Sequence, residues 1–115
     1  MTENFKVEFL QEAAEFLDNI DEKAREKIIY NIRKAQIIND KTLFKKLSGE
    51  TWEFRTFFNK TFYRLFAFWD KFDKTDTIVV STHGIIKKTD KTPKKEIKKA
   101  EKLRLQYLKQ KYSKQ

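Results

Sequence analysis

The spacing of apolar positions predicts one short strand followed by helices in the first third of the chain. Residues 5–9 alternate between apolar and charged side chains, the pattern of a strand with one buried face. Apolar residues then recur at helical spacing from Ala13 to Ile20 and again over 22–38, with a turn expected around 18–22. The two stretches predict a helical hairpin.

From residue 52 onward the period of the pattern changes to two, which indicates strands. Residues 52–58 and 61–70 are rich in aromatic side chains and are separated by Asn59 and Lys60, so they predict a β-hairpin. A polar turn is expected at 71–76.

The last third of the pattern predicts a buried strand and a helix. Residues 77–86 form a nearly continuous apolar run, typical of a central strand covered on both faces. Thr92 is expected to cap a helix whose first position is Pro93, where the missing N–H costs nothing. The whole order predicts an α+β fold, with the N-terminal helical hairpin packed on a mainly antiparallel, twisted sheet of about four strands and a C-terminal helix.

Composition places these elements in a single domain spanning residues 1–115. The chain has no cysteine and one histidine, which excludes disulfides and argues against a transition-metal site. Glu3 and Glu8 do not fit a signal peptide, and no apolar run reaches membrane-spanning length. We therefore expect a soluble cytoplasmic protein with no segment inside a membrane.

The positive charge is confined to the C-terminal quarter of the sequence. Residues 87–115 contain 12 Lys and Arg against 3 Asp and Glu, which accounts for the whole net charge of +9. Charge concentrated at a strand end and one helix favours an anion-binding surface, with nucleic acid as the expected partner and an anionic membrane as a weaker option. The simpler interpretation is a solvated basic tail.

The predicted β-hairpin brings two arginines together. If Asn59 and Lys60 form the turn, Arg55 lies directly opposite Arg64, and these like charges repel unless a carboxylate or a bound anion stabilises them. A bound anion predicts that replacing either arginine leaves the fold as stable as before. An ion pair with Glu53, on the same face, predicts the reverse.

The strand at 77–86 carries the histidine and leads into the lysines. Odd positions from Val79 to Ile85, including His83, are expected to share one face and lead to Lys87, and even positions lead to Lys88. A lone histidine in a strand is more often structural than catalytic, although its unperturbed pKa lies near neutrality. Five lysines are expected to line a phosphate path here: Lys87, Lys88, Lys91, Lys94 and Lys95.

Several kinds of chemistry lack their residues in this sequence. It contains no Ser/His/Asp set, no phosphate-binding glycine loop and no cluster of metal ligands. Cleavage of RNA requires none of these, because the substrate supplies its own 2′-OH nucleophile and the protein need only orient it and neutralise charge.

Four segments of the sequence form a recognisable set of motifs: Lys45–Leu47 with Gly49, WEFR at 52–55, FYRLFAFWD at 62–70 and HGIIKKTDKTPKKEIKKAE at 83–101. Together they resemble the RelE/ParE superfamily of bacterial toxins, and in particular its phage-derived, HigB-like branch. The resemblance implies a helical hairpin beside a twisted antiparallel sheet, with the N-terminal strand at its edge. It also implies the toxin of a type II toxin–antitoxin pair, a ribosome-dependent endoribonuclease that cuts translated mRNA without metal or cofactor and is neutralised by a small DNA-binding antitoxin of the helix-turn-helix kind.

The resemblance carries the family's roles onto Arg55, Arg64, Lys87 and Lys88, and the other candidates rest on the residues themselves. The catalytic candidates are Arg55, Arg64, Lys88 and His83, and the RNA-binding candidates are Lys45, Lys46, Lys87, Lys91, Lys94 and Lys95. Tyr107 and Lys91 are further candidates for the chemistry, and the general base is unassigned.

Two other functions stay open at this point. ParE-like relatives keep the fold and inhibit DNA gyrase without cutting RNA, and a basic RNA- or ribosome-binding module would need no chemistry at all. The opposed arginines favour cleavage, because a simple binding module gains affinity from exposed lysines alone.

Overall fold

The computed structural model describes residues 2–71 and 77–113, which form five strands and three helices. In chain order they are β1 (Lys6–Phe9), α1 (Gln11–Asn19), α2 (Glu22–Ile37), β2 (Phe44–Ser48), β3 (Thr51–Phe58), β4 (Thr61–Asp70), β5 (Ile78–Lys87) and α3 (Lys94–Tyr112). The α+β class is confirmed. The turn expected at 71–76 lies almost wholly outside the described residues.

The strands form one mixed sheet in the order β1-β5-β4-β3-β2. Strand β1 pairs in parallel with β5 at one edge, and the other neighbours are antiparallel. The expected count of about four strands was too low, because β2 was missed. Its sequence, FKKLS, has adjacent exposed lysines and a register shift between Lys46 and Ser48, so no alternating pattern marks it as a strand.

The β3–β4 hairpin has the register that the sequence predicts. Asn59 and Lys60 both adopt positive φ, 51° and 60°, as the two central residues of a type I′ turn require. Arg55 is therefore the strand partner of Arg64.

A β-bulge changes which side chains of β5 share a face. Phe66 pairs with His83 but Ala67 pairs with Ser81, so Thr82 is the extra residue. Val79 consequently lies in the main core, whereas His83 contacts α3 on the other side of the sheet. The prediction that odd positions from Val79 to Ile85 share one face was wrong for this reason.

Helices cover both faces of the sheet. Helix α1 lies over β1 and β5 and helix α2 over β3, and they enclose the main core around Phe44, Phe54 and Leu65. Helix α3 contacts the opposite face, where the Tyr107 ring packs edge-on against Phe68 with centroids 5.4 Å apart. No helix within the described ranges is long and apolar enough to cross a membrane.

The start of α3 differs from its prediction in a way that matters for the site. Pro93 is the N-cap residue rather than the first helical position. Among the described residues, no side chain makes a capping hydrogen bond to the N-terminus of α3. The Thr92 hydroxyl instead donates to Glu53 Oε1 at 3.2 Å. The residue expected to cap the helix therefore ties the β5–α3 loop to the sheet.

Candidate active site

The two opposed arginines line an open pocket on the α3 face of the sheet. The pocket measures about 190 Å³, and its remaining walls are Thr42, Thr56, Phe57, Phe62 and Asp90. The Arg64 side chain is 2% exposed and that of Arg55 is 20% exposed. The pocket therefore combines a deeply buried guanidinium with one that reaches its rim.

A buried carboxylate lies beneath both arginines. Glu53 Oε2 is 3.5 Å from Arg55 Nε, and Glu53 Oε1 is 3.6 Å from Arg64 Nε. These distances are ionic contacts and too long for hydrogen bonds, and neither Nε has a hydrogen-bond partner among the described residues. The ion pair with Glu53 that the sequence left as an alternative is thus present, and it involves both arginines.

A second carboxylate contacts both arginines at the solvent side of the pocket. Asp90 Oδ1 accepts a hydrogen bond from Arg55 Nη2 at 2.8 Å and another from Arg64 Nη2. The hydrogen bond from Arg55, with the charges of both arginines, holds the pKa of Asp90 below its ordinary value. Its side chain is nevertheless 60% exposed. Asp90 is a cap on the pocket rather than part of its floor.

Lys87 adds a third cation beside the arginines. Its Nζ donates to Thr92 Oγ1 at 3.4 Å, and Thr92 passes the chain of hydrogen bonds on to Glu53. Burial lowers the pKa of Lys87 and that of Arg64, because desolvation disfavours their charged forms. Three cations thus face two carboxylates, which leaves a formal excess of one positive charge.

Aromatic rings border the pocket next to the guanidinium groups. Phe57 is 58% exposed, and its ring lies 4.7 Å from that of Phe62. The Arg64 guanidinium in turn lies 5.3 Å from the centre of the Phe62 ring. An exposed ring such as that of Phe57 beside a cationic pocket is suited to stacking a nucleobase while its phosphate contacts the arginines.

The structure brings together only some of the residues predicted for the site. Arg55, Arg64 and Lys87 share the pocket region, and Lys45 lies on the same face because it is the strand partner of Glu53. Lys46 pairs with Trp52 and therefore lies on the opposite face. The exposed lysines Lys88, Lys91, Lys94 and Lys95 follow the β5–α3 loop and the first turn of α3.

His83 lies away from the pocket, in a buried contact between β5 and α3. Its Nε2 is 3.2 Å from Glu96 Oε1, its Nδ1 is 3.0 Å from Thr82 Oγ1, and its ring stacks on Phe66. Burial lowers the pKa of His83 despite the opposing effect of Glu96. Both ring nitrogens are engaged, and the side chain is only 2% exposed.

Tyr107 is also remote from the arginines. Its hydroxyl donates to Asp70 Oδ2 at 3.1 Å, at the far end of β4. Asp70 lies six residues beyond Arg64 on that strand, a separation of roughly 20 Å.

Asp90, Thr42 and Thr56 line the pocket and were not predicted from the sequence, and Thr92, predicted as a helix cap, bonds to Glu53 instead. A signal for Asp90 does exist, because it is the single acidic residue in the run KKTDKTPKK at 87–95. The charges alone therefore suggest that Asp90, an isolated acid among lysines, pairs with the two opposed arginines Arg55 and Arg64.

Fold and site together define a small α+β protein with a cationic, aromatic-lined pocket on one sheet face. The sequence matches the family of phage-derived Gp49-like proteins (DUF891) over residues 15–105, and the chain belongs to that family. This is a family of RelE-like, toxin-like proteins, which agrees with the broader resemblance seen in the sequence. A comparison with curated proteins found no match.

Proposed function

We propose that this protein is the toxin of a type II toxin–antitoxin system, of the HigB-like kind, and that it cleaves mRNA on the ribosome. The observation that supports this most strongly is the Arg55–Arg64 pair in an open pocket beside exposed Phe57. Membership of the Gp49-like family supports the toxin class.

The pocket suits a metal-independent cleavage by the RNA itself. The 2′-oxygen attacks the adjacent phosphorus, the bond to the 5′-oxygen breaks, and a 2′,3′-cyclic phosphate forms. The 2′-OH proton passes to a base, and the leaving 5′-oxygen takes up a proton. Arg55 and Arg64 would neutralise the negative charge that grows on the phosphorane. Lys87, beside Arg64, and Lys88, the exposed residue that follows β5, are the candidates for protonating the leaving oxygen.

The proposed partners follow from the distribution of charge. The lysines after β5 would hold the mRNA and ribosomal RNA backbone. A small acidic, DNA-binding antitoxin would neutralise the protein by covering the same residues, because the +9 excess lies entirely within 87–115.

The test is induction of the protein in bacterial cells without an antitoxin, followed by mapping of mRNA 5′ ends shortly afterwards. We expect growth arrest and breaks phased with codons. Arg55→Lys provides the matched control, since it keeps the charge but loses the two-pronged donor. Intact RNA with DNA damage would point to gyrase instead, and unimpaired growth with soluble protein present would contradict any toxin.

A further inference from the structure

We infer that the Arg55–Arg64 pocket is an oxyanion-binding site whose resident occupant is the protein's own Asp90 carboxylate, which an incoming phosphodiester must displace. The inference rests on the proposed function only for the identity of the natural ligand, an RNA phosphodiester.

The geometry places Asp90 where such a ligand would bind. One carboxylate oxygen receives hydrogen bonds from the Nη2 atoms of both arginines, at the solvent side of the pocket. Glu53 lies on the buried side and is 2% exposed. A ligand entering from solvent therefore meets Asp90 first and cannot exchange with Glu53.

Charge makes a phosphodiester a suitable replacement. Arg55, Arg64 and Lys87 face Glu53 and Asp90, so withdrawing Asp90 raises the formal excess from one positive charge to two. A phosphodiester carries one negative charge, as a carboxylate does, and restores the balance. Its two non-bridging oxygens also suit the paired donors of a guanidinium better than one shared oxygen does.

The loop that carries Asp90 is built to separate from the arginines without unfolding the protein. Asp90 is 60% exposed, and the chain on either side is anchored at Lys87, the last residue of β5, and at Thr92, which bonds to Glu53. Only residues 88–91 need to move. Lys88 and Lys91 lie in that same short segment, so an RNA strand that binds these lysines would contact the loop as Asp90 leaves.

Displacement of Asp90 lowers the apparent affinity of the site for any anion, because only the open form can bind. Asp90→Asn removes the carboxylate that competes with the anion for the two arginines. Because ion pairs with an exposed partner are weak, we expect the gain in anion affinity to be modest, about tenfold. Asp18→Asn is the matched control, since Asp18 is exposed on α1 and its replacement removes the same charge on the other side of the sheet.

The experiment is a titration with sodium sulfate, followed by the backbone amide resonances of Arg55 and Arg64 at constant ionic strength. The expected result is about tenfold tighter sulfate binding in Asp90→Asn and unchanged binding in Asp18→Asn. Equal affinity in Asp90→Asn and the wild type, or an equal gain in Asp18→Asn, would overturn the inference.

The wild-type protein supplies an independent reading. Sulfate should shift the resonances of Asp90 and its loop neighbours together with those of the arginines, and sulfate binding that leaves Asp90 unmoved would refute displacement. A 2′-O-methyl oligoribonucleotide, which cannot be cleaved, should shift the same amides if the natural ligand is an RNA backbone; a response to sulfate alone would assign the pocket to free oxyanions.

These titrations separate the inference from the proposed function. A tenfold gain in Asp90→Asn without any RNA cleavage would remove the endoribonuclease and leave the displaced carboxylate standing. RNA cleavage with unchanged sulfate affinity in Asp90→Asn would support the endoribonuclease and overturn the displacement of Asp90.

Discussion

At the scale of single residues, Arg64 belongs both to the fold and to the candidate site. It is buried against Glu53, yet its Nη2 reaches the pocket and bonds to Asp90. Arg55 is more exposed and lies at the rim. The two arginines should therefore respond differently to substitution, although they face each other across one strand pair.

Arg64→Ala should destabilise the protein by about 3 kcal/mol, because it leaves the buried Glu53 carboxylate with only one arginine. This reverses the expectation of unchanged stability that a bound anion alone predicts. Urea unfolding measures the change, and Arg33→Ala, at an exposed position of α2, is the control that should stay within about 0.5 kcal/mol of the wild type. Equal stability of Arg64→Ala would show that the ion pair contributes nothing.

Arg55→Lys should keep the fold but reduce RNA cleavage on the order of 10²-fold, because lysine cannot present two fixed donors to a phosphate. Single-turnover cleavage of mRNA on translating ribosomes measures the rate, and the melting temperature provides the check on folding. Full activity in this variant would remove Arg55 from the chemistry.

His83 should make the protein less stable at acidic pH. Burial lowers its pKa in the folded state below the unfolded value of about 6.5, although Glu96 and Glu12 act against this and Lys99 acts with it. Below about pH 6.5 the unfolded chain therefore binds a proton that the folded protein does not, and stability falls as the pH falls. Above that pH the effect is absent.

The measurement compares unfolding free energies of the wild type and His83→Gln between pH 5 and 7.5. The advantage of the wild type should shrink toward pH 5. A constant difference across this range would contradict a lowered pKa for His83, and a large loss of cleavage at neutral pH in a folded variant would restore its catalytic candidacy.

At the scale of elements, the close approach of α1 to β5 depends on Gly84. A Cβ at this position would lie 2.4 Å from Phe16 Cδ2 and 2.6 Å from its Cγ, closer than any real contact. The whole ring would have to move, because Cγ is the root of the ring rather than its far end. Helix α1 can therefore pack this closely on β5 only because residue 84 has no side chain to collide with the Phe16 ring.

Gly84→Ala should consequently destabilise the protein by about 1–3 kcal/mol. The control is a double-mutant cycle with Phe16→Ala, in which the cost of Gly84→Ala should largely disappear once the ring is removed. An undiminished cost in the Phe16→Ala background would assign the effect to the strand backbone instead of to packing.

At the scale of the whole molecule, the candidate site lies on one face of the sheet, so the proposed RNA binding should involve that face alone. Lys45 and Lys46 are adjacent and both exposed on β2, but Lys45 shares the face of Glu53 and the arginines, whereas Lys46 shares that of Trp52. This pair offers a matched comparison of one charge on each face.

Lys45→Gln should lower the slope of log affinity against log salt by about 0.7, the value for losing one phosphate contact with single-stranded RNA. Lys46→Gln should leave the slope unchanged. Binding of a 2′-O-methyl oligoribonucleotide over a range of salt concentrations measures both. Equal changes in the two variants would mean that RNA does not bind the arginine face selectively.

Local patterns in the sequence determined much of this architecture. The two helices before β2 and the β3–β4 hairpin follow from apolar spacing and turn chemistry, and the turn at Asn59 and Lys60 sets the register that opposes Arg55 and Arg64. These features depend on residues near one another in the chain, so a single sequence is sufficient to predict them.

Only the tertiary structure decided what surrounds the arginines. Strand β2 forms because it can pair with the edge of β3, and the bulge at Thr82 turns His83 toward α3. The loop after β5 folds back and places Asp90 against Arg64 and Arg55, which lie 26 and 35 positions earlier in the chain. Contacts between such distant segments depend on how α3 packs on the sheet. The spacing of apolar residues along the chain does not predict that packing. The sequence alone therefore predicts the pair of cations and places Glu53 on their face, whereas Asp90 reaches them only in the folded protein.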